Sequence, residues 1–221
     1  AELSGLDGVR QALDNGGVGV SSVDEFYSQS GVLDPVRAAE ASVSASERTL
    51  AAGYTGFRAV VDATEMVRTP AQREVFARFE YLIDRKMSVL PVSALCAYDV
   101  GELGSAAVAE MACLHPLASA GSTLFRLYAA EGVDFALAGE IDLSCADLFG
   151  RTLGRTVPLS SGPELIVDAR ELAFIDHRGL LALAKAAQRC DATMILRDAR
   201  HSVARVIELL ELPHLQVRVT T

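Results

Sequence analysis

Phe174-Ile175-Asp176-His177-Arg178-Gly179-Leu180 is the stretch on which the fold of this chain turns. An apolar strand runs into an acid, and a helix opens within a few residues. Asp176 stands where an N-cap belongs, because its carboxylate can accept from the free amides of a first helical turn. Leu180, Leu181, Ala184 and Ala187 then recur at helical spacing. A strand–acid–helix corner of this kind belongs to an α/β fold. It leaves positions 177 and 178 exposed, and the function of this half is expected there.

Similar signals surround the corner. Thr123–Ala129 and Asp134–Gly139 read as two strands joined by the turn Glu131-Gly132, a hairpin. Ser144 with Asp147 resembles a capping box that opens a helix to about Gly154. Glu164–Asp168 reads as a strand, Asp176–Cys190 as a helix, Thr193–Leu196 as a strand and Ser202–Leu212 as a last helix. The small, polar stretch Ala118-Ser119-Ala120-Gly121-Ser122 precedes them all and reads as a boundary. It divides the chain into residues 1–120 and 121–221.

Strand and helix signals also alternate before the boundary, as an α/β domain requires. Val18–Ser22 reads as a short strand. Pro35 to Ala52 reads as a helix, with proline in its first turn and Gly53 as its stop. Phe57–Asp62 is a strand, and Thr69-Pro70 opens a helix through Met87. Val92–Asp99 is nearly continuous in apolar residues, the mark of a strand buried on both faces. Ala106–Leu114 is helical and ends at His115-Pro116. Residues 1–16 hold only a weak helix with no strand before it. The domain is therefore expected to lack its first β-α unit.

Composition narrows the functional classes. Half of the 221 residues are hydrophobic, enough for a real core, and with no Trp that core must be aliphatic. The formal net charge is −9, concentrated in the first half, with no basic stripe. That argues against nucleic acid and against an anionic membrane surface as partners. No apolar run is long enough to span a bilayer, and no signal peptide is visible. Cys96, Cys113, Cys145 and Cys190 lie far apart without C-x-x-C spacing, and read as reduced core residues of a cytoplasmic protein.

The corner, the order of elements, Gly139-Glu140-Ile141-Asp142 after the second strand and Val167-Asp168-Ala169 at the third strand's end together resemble a STAS domain. That is the domain of anti-sigma-factor antagonists, stressosome proteins and sulfate-transporter tails. The resemblance covers about residues 122–219. It implies a mixed β-sheet with helices, and a surface around Asp142, Ser144, Asp176, His177, Arg178 and Gly179 that binds a partner. The implied partner is an anti-sigma factor of kinase type or another STAS protein. In the family the partner phosphorylates a hydroxyl after the corner aspartate. His177 and Arg178 carry no hydroxyl here, so that switch cannot operate at these positions.

The first half resembles a MEDS domain, a sensory domain named from methanogens and methylotrophs. The residues that carry this are Glu25-Phe26-Tyr27 with Gly31, Gly53-Tyr54-Thr55-Gly56-Phe57-Arg58, Phe79-Glu80, Leu95-Cys96-Ala97-Tyr98-Asp99 and His115-Pro116. The resemblance implies a partial RecA-like α/β sensory domain that responds to a small organic ligand or signal. Where the family tends toward Gly-Glu and an aromatic after Arg58, this chain has Val61-Asp62-Ala63-Thr64-Glu65.

Tyr54, Arg58, Glu80, Tyr98 and Asp99 are polar residues in or beside apolar elements. They read either as the lining of a ligand pocket or as an Arg–carboxylate network that satisfies itself. Asn15-Gly16-Gly17-Val18-Gly19 lacks the lysine and the strand-before-loop order of a phosphate-binding loop, and reads as a turn. Asp62 and Asp99 end strands, where a metal or catalytic acid can sit, but such acids more often cap the next loop. His115, before proline at a helix end, is expected to satisfy free carbonyls there. The other histidines lack metal-ligand spacing, and no Gly-x-Ser-x-Gly elbow is present. The expectation is a non-enzymatic regulator with no cofactor, no metal and no catalytic residue. The alternative is a small-molecule or nucleotide sensor whose second half forms a homodimer.

Overall fold

The structure, a computed structural model, describes residues 8–23, 33–160 and 162–219. Glu25-Phe26-Tyr27 and Gly31 lie outside the described residues. Helix α1 spans Val9–Asp14. Helix α2 spans Pro35–Ala51; Asp34 caps it by accepting from the N–H groups of Val36 and Arg37, and Pro35 fills the first turn where its missing N–H costs nothing. Strand β1, Phe57–Asp62, pairs in parallel with β2, Val92–Ala97, in the register Phe57↔Val92 through Asp62↔Ala97. Between them runs α3, Pro70–Met87. It opens on a reciprocal capping box between Thr69 and Gln72 and buries Phe76, Phe79, Tyr81 and Ile83. Short helices α4, Val100–Leu103, and α5, Ser105–Ala112, close the first half.

The second half holds one mixed sheet. Strand β3, Phe125–Tyr128, is antiparallel to β4, Phe135–Ile141. Along its other edge β4 pairs in parallel first with β5, Glu164–Asp168, and then with β6, Leu172–Ile175. Strand β7, Thr193–Arg197, follows β5, and β8, Leu215–Arg218, follows β7, all parallel. Helices α6 (Ala146–Thr156), α7 (His177–Arg189) and α8 (His201–Leu209) connect them. Gly139 has φ +87° at a register shift in β4. A Cβ there would lie 2.3 Å from the Leu124 carbonyl oxygen, so only glycine allows β3 to pass this closely.

The architecture is α/β, as the sequence indicates, and several local expectations are corrected. Val18–Ser22 is not a strand: no described strand pairs with it, Val20 is exposed, and Gly16, Gly17 and Gly19 weaken it. Ser144 does not form a capping box with Asp147. Its N–H and hydroxyl both bond to Asp142, and the helix starts at Ala146 without a side-chain cap. Strand β2 is not buried on both faces, for Leu95 is 63% exposed and its register partner Val60 is 73% exposed. Only the opposite face, with Ala59, Val61 and Cys96, turns inward. Strand β8 follows what reads from sequence as the last helix.

One hydrophobic core runs through both halves, from Ala38 and Phe76 to Leu183 and Leu215. Where they meet, the Tyr81 ring stacks on Phe135 with centroids 5.2 Å apart, and its hydroxyl bonds to Ser160. Beside it Arg155 of α6, only 8% exposed, reaches back to Glu74 Oε2 at 2.7 Å and to Glu110 Oε2 at 3.1 Å. Arg73 shares Glu110 at 3.2 Å and donates to the Val67 carbonyl. An Arg–carboxylate network therefore exists, but its members are not the residues the sequence singles out.

Candidate functional site

Two regions bring candidate side chains together. The first is the corner at the carboxyl ends of β4 and β6. These strands end side by side, Ile141 against Ile175, so Asp142 and Asp176 leave the sheet next to each other. Asp176 caps α7, accepting from Gly179 N–H at 2.8 Å. Asp142 accepts the Ser144 N–H and hydroxyl, which hold its carboxyl below the usual range. His177 and Arg178 are exposed on the first turn of α7, and Arg178 has no ion pair among the described residues. Gly179 is buried. A Cβ there would lie 2.6 Å from Ile175 Cγ1 and 2.9 Å from Ile141 Cγ2, so its role is to let the helix lie close on the sheet.

The second region is a cleft of about 890 Å³. The inner face of β1 and β2 forms one wall, and the last turns of α3 form another. The segment around His115 and the residues Tyr128-Ala129-Ala130, which leave β3, complete it. Most of the lining is apolar. Parallel pairing of β1 and β2 fixes the inner face as Ala59, Val61, Ala94 and Cys96, because side chains alternate along each strand.

Glu80, Asp84 and His115 converge in this cleft, with the Cys96 thiol beside them. Glu80 and Asp84 lie one helical turn apart on α3, a spacing that puts them on one face. Glu80 is 6% exposed, and its Oε1 accepts from the Cys96 thiol at 3.6 Å. His115 Nε2 stands 4.0 Å from Glu80 Oε2. Burial pushes the Glu80 carboxyl up, against the pull of His115 and Cys96. Asp84 is pushed up to about 6, again by burial, while His115 and the Ala129 N–H hold it down. Burial and the neighbouring Glu80 charge raise the Cys96 thiol, so it is no nucleophile at neutral pH. Among the described residues no three or more His, Cys, Asp or Glu side chains are placed to hold a metal ion.

Of the five residues read from sequence as pocket candidates, Glu80 and Tyr98 line the cleft. The other three do not. Tyr54 is exposed and reaches the Gly16 carbonyl oxygen at 3.4 Å. Arg58 lies on the outer sheet face and donates to Ser93 at 3.2 Å. Asp99 caps α4 through the N–H groups of Gly101 and Glu102, and Asp62 bonds to the Thr64 N–H. His115 does not cap the helix end before it; its ring turns into the cleft. Asp84 and Tyr128 are lining residues the sequence reading missed. The signal for Asp84 was its place four residues after Glu80 on the apolar face of α3.

The family of the methanogen/methylotroph, DcmR sensory domain, MEDS, matches residues 1–116. No curated protein matches the chain. The match covers more than half of the sequence, and the chain belongs to the MEDS family. Membership in a family of sensory domains gives it a signalling role.

Proposed function

We propose that this MEDS-family chain is a non-enzymatic regulator in which a small organic ligand in the cleft is reported to a partner protein through the second half. The observation that carries the reading is the shared wall of the cleft. Its carboxylates come from the sensory half, yet the Asp84 carboxylate accepts the Ala129 N–H at the end of β3. A ligand that engages this carboxylate acts directly on a strand of the second sheet. Coupling of this kind needs a ligand with different affinity for two arrangements of that seam.

In this reading residues 121–221 act as a STAS-like effector of the anti-sigma-factor-antagonist kind, in a bacterial, cytoplasmic setting. The partner is a kinase-type anti-sigma factor, docked on the corner of Asp142, Ser144, Asp176, His177 and Arg178. A phosphate would add about −1.5 to −2 charge at a helix N-terminus. His177 and Arg178 offer no hydroxyl to receive it, so docking on this corner escapes phosphorylation at the usual position. Nucleotides are disfavoured as the ligand, since no Lys or Arg lines the cleft.

The test has two arms. Thermal melting with a metabolite panel should reveal a stabilising ligand, worth about 2.7 kcal/mol at 100 times its dissociation constant. Titration of candidate anti-sigma kinases should then give an affinity that changes when that ligand saturates the protein. Equal affinity with and without ligand would sever sensing from docking and remove the proposal. Radiolabelled phosphate mapped to the first turn of α7 would remove the unswitched corner.

A further inference from the structure

The polar lining of the cleft has one sign. Its charged side chains are Glu80 and Asp84, with His115 beside them and no Lys or Arg. Among the described residues the Glu80 carboxylate, 6% exposed, receives only a thiol at 3.6 Å, with the imidazole at 4.0 Å. His115 Nε2 is itself buried without a hydrogen bond. Buried polar groups in native proteins are nearly always paired with protein, water or ligand. Here two of them, on different elements, face the same cavity, the Glu80 carboxylate with one weak thiol donor and His115 Nε2 with no hydrogen bond.

The remainder of the lining says what kind of molecule could use that capacity. Ala59, Val61, Phe79, Ile83 and Met87 offer apolar surface, and the volume lies in the range that encloses a small organic ligand. A carboxylate in the molecule would meet two like charges with a single imidazole, His115, as the side chain opposing them. Phosphate would need amide nests or Lys and Arg, and the cleft supplies neither charge. A divalent ion needs a converging ligand set that the described residues do not make. An ammonium carries three donors and a charge of the required sign.

We infer that the cleft takes an organic cation, a protonated amine on an apolar body, with the ammonium seated on Glu80 and Asp84. The inference rests on the ligand-cleft reading above and narrows it to one chemical class. The cation offsets the desolvation of Glu80, which within the protein only the Cys96 thiol and the more distant His115 imidazole oppose. It also competes with the Ala129 N–H for Asp84, which places the charge of the ligand at the seam between the halves.

Calorimetric titration of the full chain with hexylamine, phenethylamine and tryptamine, each beside its matching alcohol and carboxylate, separates charge from body. At least one amine should bind about tenfold more tightly than its alcohol, with the carboxylate weakest, since a charge-assisted hydrogen bond contributes on that scale. Glu80→Gln should lower amine affinity about tenfold and leave the alcohol unchanged. Asp84→Asn is the second variant, and circular dichroism checks that each is folded. Alcohols or carboxylates binding as well as amines, or amine binding indifferent to both substitutions, overturns the inference while the ligand cleft stands. Failure of every probe to bind overturns both.

Discussion

Asp84 Oδ2 accepts the backbone N–H of Ala129 at 3.0 Å, so a carboxylate of the cleft is tied to the strand that opens the second sheet. Burial makes this bond depend on pH. The Asp84 carboxyl is raised from 3.8 to about 6, so the folded chain holds its proton more tightly than the unfolded chain does. Between these values the unfolded chain ionises first. Stability therefore falls as pH rises from about 4 to about 6 and levels off above, by about 1–3 kcal/mol. The groups facing Asp84 are Glu80, His115, Tyr128 and the Ala129 amide. Glu80 is shifted the same way, but it is common to the wild type and Asp84→Asn. Urea unfolding of both proteins across this window should give curves that converge at the acid end, with the Asn variant more stable near neutrality. Parallel curves would refute the assignment.

Arg155→Ala should destabilise the whole chain. The guanidinium is 8% exposed and its partner Glu110 is 12% exposed, so removal leaves a carboxylate in a nearly dry site with Arg73 as its close partner. Breaking a buried pair from one side costs about 3 kcal/mol. Lysine should restore little, because one ammonium cannot serve Glu74 and Glu110 as the fork does. Chemical denaturation of the three proteins measures this.

Gly179→Ala should cost about 1–3 kcal/mol, since the added methyl would overlap branched carbons of Ile175 and Ile141. Ile175→Val in the same chain should recover part of the loss, because it removes the Ile175 Cδ1 that would lie 3.0 Å from the added methyl. A thermal melt of the single and double variants decides it.

Arg178→Glu should leave stability unchanged or slightly raised, by up to about 1 kcal/mol, because a negative charge at a helix N-terminus meets the favourable end of the dipole. Binding of the proposed partner should fall sharply, since the exposed positive charge at position 178 becomes negative beside Asp142 and Asp176. Titration against an anti-sigma kinase reads this directly. Unchanged affinity would take Arg178 out of the interface.

Much of the fold could be read from the sequence where local signals agree with tertiary packing. Thr69-Pro70 fixed the start of α3, and the acid of the Phe-Ile-Asp corner fixed the start of α7, because caps act within one turn of chain. The strand β1 was legible from its apolar run. Failures came where partners decide. Val18–Ser22 had strand composition but no neighbour to pair with among the described strands. Apolar β2 looked fully buried, yet among the described residues the face that carries Val60 and Leu95 is left exposed. Ser144 was claimed by Asp142 before it could cap a helix.

The cleft was half visible. Glu80 and Tyr98 stood out as polar residues among apolar ones, and both line it. Tyr54, Arg58 and Asp99 stood out equally but satisfy local bonds, a distinction only coordinates can make. His115 looked like a helix stop because Pro116 follows it. Its true neighbour is 35 positions away in sequence, and no local pattern announces such a meeting.

Arg155 carries a practical corollary. Sensory modules are commonly grafted onto new outputs by cutting where the sequence turns small and polar. A cut near residue 120 would strip Glu74 and Glu110 of the guanidinium they share and uncover the ring face of Tyr81. A chimera that transplants this sensor must either import the helix that bears the arginine or refill its socket with apolar side chains of similar bulk.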